Sequence, residues 1–128
     1  MNVSIKVIPH KMQRYETVGD WVFLPDGSLE ILVSKMSDWR YEMLVAVHEL
    51  VEVLLCKVAG VTQESVDAFD IAFEKQREKS LTLDTREPGD EPDAPYHVQH
   101  CLATGVERIV AAFMGVKWSV YETEINSL

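Results

Sequence analysis

In the run His48-Glu49-Leu50-Val51-Glu52 an imidazole and a carboxylate stand four residues apart, with a second carboxylate directly after the imidazole. On a helix that spacing stacks His48 and Glu52 on one face, about one turn apart, where both can grip a single cation. Glu49 then points beside the ion, in reach of a bound water whose proton it can accept. The spacing therefore predicts metal-assisted hydrolysis, with His48 and Glu52 as ligands and Glu49 as catalytic base. The plainer reading of so short a pattern is a buried histidine hydrogen-bonded to a neighbouring acid.

These residues need a helix, and the chain supplies one. From Met43 to Ala59 the sequence is apolar on almost every side when wound at 3.6 residues per turn, which predicts a helix enclosed by its neighbours. Ser37 or Asp38 can cap its start at Trp39, and Gly60 suits the left-handed position after its end. Ionisable groups buried there unpaired would cost several kcal/mol each, so they must be paired, neutralised or bound to metal.

A further ligand has to come from elsewhere. A third helix is expected from about Pro95 to Phe113, and it carries His97, His100, Thr104 and Glu107 on one stripe. His97, His100 and Glu107 are the candidates to complete a metal shell. The stripe lies opposite Val98, Leu102, Val106, Ile109 and Phe113, a clear apolar face that reads as the core side. The polar stripe is then either a solvated surface or the wall of the site.

The remaining elements give an α+β class. Strands are expected at Val3 to Ile8, Tyr15 to Leu24 and Ser28 to Ser34, the last two joined by the turn Pro25-Asp26-Gly27. They form a small antiparallel sheet of about three strands, packed on three main helices around the buried central one. A second, peripheral helix runs from near Thr62 to about Lys79, with Asp67, Asp70 and Glu74 expected on a solvated face. Residues 81–95 hold three prolines and a glycine among acids and predict a long exposed loop. Trp118 to Ile125 predicts a short terminal helix. The expected organisation is one domain over 1–128, with 1–36 the β-hairpin region and 37–128 helical. Trp21, Trp39 and Trp118 read as core or lid residues, His10 as a surface group, and Cys56 and Cys101 as buried free thiols.

Composition narrows the function classes. A formal net charge of −9 repels a phosphate backbone, so no nucleic-acid partner is expected. No apolar run approaches the roughly 18 residues of a membrane span, and the first residues lack the pattern of a secretion signal. With only two cysteines, the expectation is a cytoplasmic protein.

His48-Glu49-Leu50-Val51-Glu52, with Leu29 to Ser34 as a preceding strand, resembles the active-site region of the zincin-type metallopeptidases over about residues 28 to 59. The resemblance implies a zincin-like architecture, a divalent metal held by His48, and Glu49 as the catalytic glutamate. It departs at Glu52, where the family carries a second histidine. A carboxylate there adds negative charge, so zinc is joined by manganese, iron and magnesium as candidate ions. The whole chain is also similar to small proteins of tailed phages and prophages, through Gly19-Asp20-Trp21, Asp38-Trp39-Arg40-Tyr41-Glu42, Val66-Asp67-Ala68-Phe69-Asp70 and Ala94-Pro95-Tyr96-His97. That similarity implies a setting in a host cytoplasm and, as a second functional class, an interaction protein that alters a host factor while keeping a structural or vestigial metal site. A third class follows from Glu49-x-x-Glu52 with Glu64-x-x-Asp67 or Asp67-x-x-Asp70, which resemble the paired acids of all-α nucleoside-triphosphate pyrophosphohydrolases. Those acids hold magnesium against phosphates. The substrate and the oligomeric state stay open at this level.

Overall fold

The computed structural model describes residues 1–80 and 86–128. Strands β1 (Val3–Ile8), β2 (Gly19–Phe23) and β3 (Leu29–Ser34) precede helices α1 (Trp39–Ala59), α2 (Gln63–Glu78), α3 (His97–Phe113) and α4 (Trp118–Ser127). The class is α+β, as the sequence predicts. The sheet order is β1-β3-β2, and the sheet is mixed rather than antiparallel: β2 pairs with β3 antiparallel, but β1 pairs with β3 parallel, Val3 opposite Leu29 and Val7 opposite Val33. The physical reason is the connection at 9–18. It contains a 3-10 turn at His10–Met12 after Pro9, is too long for a tight hairpin, and leaves room for β3 to insert between the first two strands.

The β2–β3 turn forms as expected. Gly27 takes φ 85°, a backbone state open to glycine, and its N–H bonds the Leu24 carbonyl. The strand before it begins at Gly19 rather than Tyr15.

Helix α1 starts where the Asp38 carboxylate accepts the Arg40 backbone N–H, and stops where Gly60 enters the left-handed region. It packs against β2 and β3 on one side and α3 on the other. Leu29, Ile31, Val33, Leu44, Val53 and Cys56 are fully buried in this core. Helix α2 is capped by the Thr62 hydroxyl on the Ser65 N–H. A 3-10 turn at Pro88–Asp90 packs against both α2 and α3. The loop expected over 81–95 is therefore partly ordered onto the core, and its segment 81–85 falls outside the described residues.

Three expectations about faces are corrected. Helix α3 turns its polar stripe inward: His100, Ala103, Glu107 and Ala111 are buried, whereas Val98, Leu102, Ile109 and Phe113 are 61, 55, 60 and 90% exposed. On α2, Asp70 is buried rather than solvated, because Tyr15 and Tyr96 both donate their hydroxyls to it. Cys56 is buried, but Cys101 is exposed on the outer side of α3. Trp21 lies in the core, Trp118 packs against it, and Trp39 is largely exposed. His10 is partly buried between Ser34 and Glu16. Among the described residues, no helix is long and apolar enough to cross a membrane.

Candidate metal centre

The four-residue spacing on α1 and the inward stripe of α3 meet at one point. His48 Nε2, Glu52 Oε2 and His100 Nδ1 form a nearly equilateral triangle with sides of 3.1, 3.1 and 3.0 Å. All three residues are buried, and they make up a group that could hold a metal ion. Ligands at zinc's usual 2.0–2.1 Å would be roughly 3.3 Å apart, so the spacing of these three atoms would need little adjustment to hold one ion.

The atoms behind the triangle explain why its corners point inward. His48 Nδ1 lies 2.8 Å from Glu107 Oε1, and a carboxylate only accepts, so Nδ1 carries a proton; with a cation at the triangle, Nε2 would offer it the lone pair. His100 is held by its other nitrogen: its Nε2–H faces Asp90 Oδ1 and Glu87 Oε2, each at 3.1 Å, so that Nδ1 points to the triangle. The Trp21 indole N–H donates to Glu52 Oε1 at 3.1 Å, leaving Oε2 for the centre. Tyr121 donates its hydroxyl to the other oxygen of Glu107 at 2.5 Å, fixing that carboxylate in turn. Carboxylate partners on ligand imidazoles are the usual outer shell of a metal site.

Protonation follows the same demand for positive charge. Burial alone would lower His48, but its bonds to Glu107 and Glu52 outweigh this and hold it well above the usual imidazole range. His100 is raised likewise: burial opposes, and the bonds to Asp90, Glu52 and Glu87 win. For Glu52, burial pushes upward, yet the two imidazoles bring it down to about 2. Two imidazolium N–H groups facing each other at 3.1 Å would repel. A dication at this point would supply the charge without that conflict, with the three atoms as its donors.

Glu49 sits beside this triangle. It lines a cavity of about 240 Å³ with His48, Glu52 and His100, and its carboxylate rests on Gly19: a Cβ there would lie 2.6 Å from Glu49 Oε1. Burial next to Glu52 raises the Glu49 carboxyl well above its ordinary range. The rest of the cavity is walled in part by Tyr15, Trp21, Asp70, Glu87 and Tyr96.

Of the residues singled out from sequence, His48, Glu52 and His100 converge. Glu107 reaches the far nitrogen of His48 rather than the point of convergence. His97 turns away, its ring bonding the Gly89 carbonyl at 2.9 Å and touching Cys101. It thereby holds the 3-10 turn that presses on His100. Gly89 is indispensable to that contact, since a Cβ would lie 2.3 Å from His100 Cγ. Sequence reasoning missed Gly19, Gly89, Glu87, Asp90 and Tyr121. Gly19 comes from β2, Glu87, Gly89 and Asp90 from the 3-10 turn and its cap, and Tyr121 from α4, and all of them meet the site only through tertiary packing. No protein-family model matches the chain, and neither a curated protein nor a solved structure shows significant similarity to it.

Proposed function

We propose that the protein is a metal-dependent hydrolase of zincin-like type, acting on an amide or ester carbonyl. The observation that carries the reading is the triangle of two imidazole nitrogens and one carboxylate oxygen, each with its other side tied to a hydrogen-bond partner. Two histidines and a glutamate are a donor set of catalytic zinc sites, which keep a fourth position open for water or substrate. The departure at Glu52 then finds its complement. The carboxylate stands on the helix in place of the second histidine, and the missing imidazole comes from His100 on α3, so the donor types are kept while their positions are exchanged.

The ion would polarise the scissile carbonyl and acidify a water. His48, Glu52 and His100 fix its position, and Glu107, Asp90 and Trp21 keep their donor atoms aimed. Glu49, which lines the cavity beside the three donors, accepts the water's proton and passes it to the leaving group. Zinc is the leading ion, with manganese, iron and magnesium behind it. The turn at Pro88–Asp90 borders the cavity and shapes access to it.

The test is turnover of a panel of fluorogenic peptides and nitrophenyl esters by the zinc- and manganese-loaded protein, beside Glu49→Gln. The expected result is hydrolysis by the native chain and a loss of roughly 10²–10⁴-fold in the variant at unchanged metal content. Metal-loaded native protein without turnover on any member of the panel, or full activity in Glu49→Gln, would remove the hydrolytic reading.

A further inference from the structure

The outward face of α3 poses a question the metal centre does not answer. Val98, Cys101, Leu102, Gly105, Val106, Ile109, Ala112 and Phe113 are all exposed, and together they form one stripe of the helix without a single charge. On a chain of net charge −9 such a surface is out of keeping with solvent. Its exposed apolar area is on the order of 500 Å², the scale at which a patch on a monomer signals an interaction site.

Six of these eight residues are arranged symmetrically along the helix. Val98 and Phe113, Leu102 and Ile109, Gly105 and Val106 are pairs of residues that share one midpoint, between positions 105 and 106. Two copies of the helix laid antiparallel about a twofold axis through that midpoint would set Val98 against the partner's Phe113 and Leu102 against the partner's Ile109. A twofold contact must be self-complementary in this manner, since each residue meets its mirror position in the other chain. Gly105 supplies an independent observation. A glycine within a helix costs about 1 kcal/mol relative to alanine, and a Cβ at Gly105 would meet nothing within 4 Å among the described residues. No packing among the described residues requires it. At the axis, where two helices approach most closely, the missing side chain has a use.

We infer that the protein is a homodimer joined through the outer face of α3, antiparallel and centred on Gly105–Val106. The contact would bury on the order of 1,000 Å² over both copies, at the threshold of a stable interface. It would place the partner directly behind the helix that carries His100, leaving the cavity open. The dimer does not depend on the metal reading.

Sedimentation equilibrium of the full chain tests it. The native protein is expected to dimerise at micromolar concentrations. Leu102→Glu and Ile109→Lys should each raise the dissociation constant by roughly a hundredfold or more. The double variant, which sets Glu against Lys across the axis twice, should recover most of the loss. Because these positions are exposed, circular dichroism should show all three variants folded. In a Cys101→Ser background, Val106→Cys should oxidise readily to a covalent dimer. A native chain that stays monomeric at about 100 μM would overturn the inference, as a stripe covered by some other partner would give that result. So would a dimer indifferent to Leu102→Glu, which would lie on another surface such as the exposed edge β1. Additive losses in the double variant would refute the antiparallel register.

Discussion

Glu52 and Asp70 are both buried acids on helices that line the same cavity, one on α1 and one on α2, and their surroundings pull them in opposite directions. Around Glu52 stand two imidazoles and an indole N–H; around Asp70 stand two tyrosine hydroxyls. Both pay for burial, which raises a carboxyl. At Glu52 the imidazoles more than offset it and the carboxyl falls to about 2. At Asp70 neutral hydroxyls do not, and it rises to about 7. A buried carboxylate kept ionised, with two imidazole nitrogens within 3.1 Å of one of its oxygens, is equipped for a cation. One that can stay protonated needs none, and its tyrosines make it a structural tie between the chain before β2, helix α2 and the start of α3.

The sharpest way to break that contrast is to neutralise each acid in turn. Glu52→Gln should weaken zinc affinity roughly a thousandfold, because it removes the charged ligand of three, whereas Asp70→Asn should leave affinity within about threefold. Calorimetric zinc titration of both variants checks this, and equal losses would dissolve the distinction.

A second, slightly smaller effect separates the two by pH. Asp70 has its folded value near 7 against an ordinary 3.8, so between these the folded chain keeps a proton that the unfolded chain has lost. Its contribution to stability is fully present below about pH 4 and is lost as pH rises through 7. Asp70→Asn stays neutral throughout. Relative to native protein, the variant should therefore gain roughly 2–4 kcal/mol between pH 4 and pH 8. Urea unfolding across that range, with chelator present, measures it; a constant difference would contradict the assignment.

The smallest expected effect concerns the support rather than the ligand. Glu107→Gln keeps the shape but weakens the hold on His48 Nδ1–H, and should lower zinc affinity by roughly 10–100-fold. No change would mean that Glu107 does not orient His48.

How much of this the sequence disclosed differs by element. Helix α1 was legible because its caps, its enclosing apolar run and the His48–Glu52 spacing are all local. The hairpin turn was legible for the same reason. The parallel pairing of β1 was not, since only the order of strands in space fixes it. Helix α3 shows where the rule of burying the apolar face fails. Its periodicity marks Val98, Leu102 and Phe113 as the inner side, yet His100 and Glu107 are inside because α1 offers them ionisable partners. A helical wheel records the contrast between faces but not which of them finds a partner. Asp70 repeats the lesson, with two tyrosines from distant segments replacing solvent.

The central claim is that the three converging donors hold an ion. Elemental analysis of natively purified protein, before and after reconstitution, beside His48→Ala and His100→Ala, tests it most directly. The native protein is expected to carry about one divalent ion per chain, and either variant almost none. Native protein that takes up no zinc, manganese, iron or magnesium, or variants that keep a full equivalent, would contradict it.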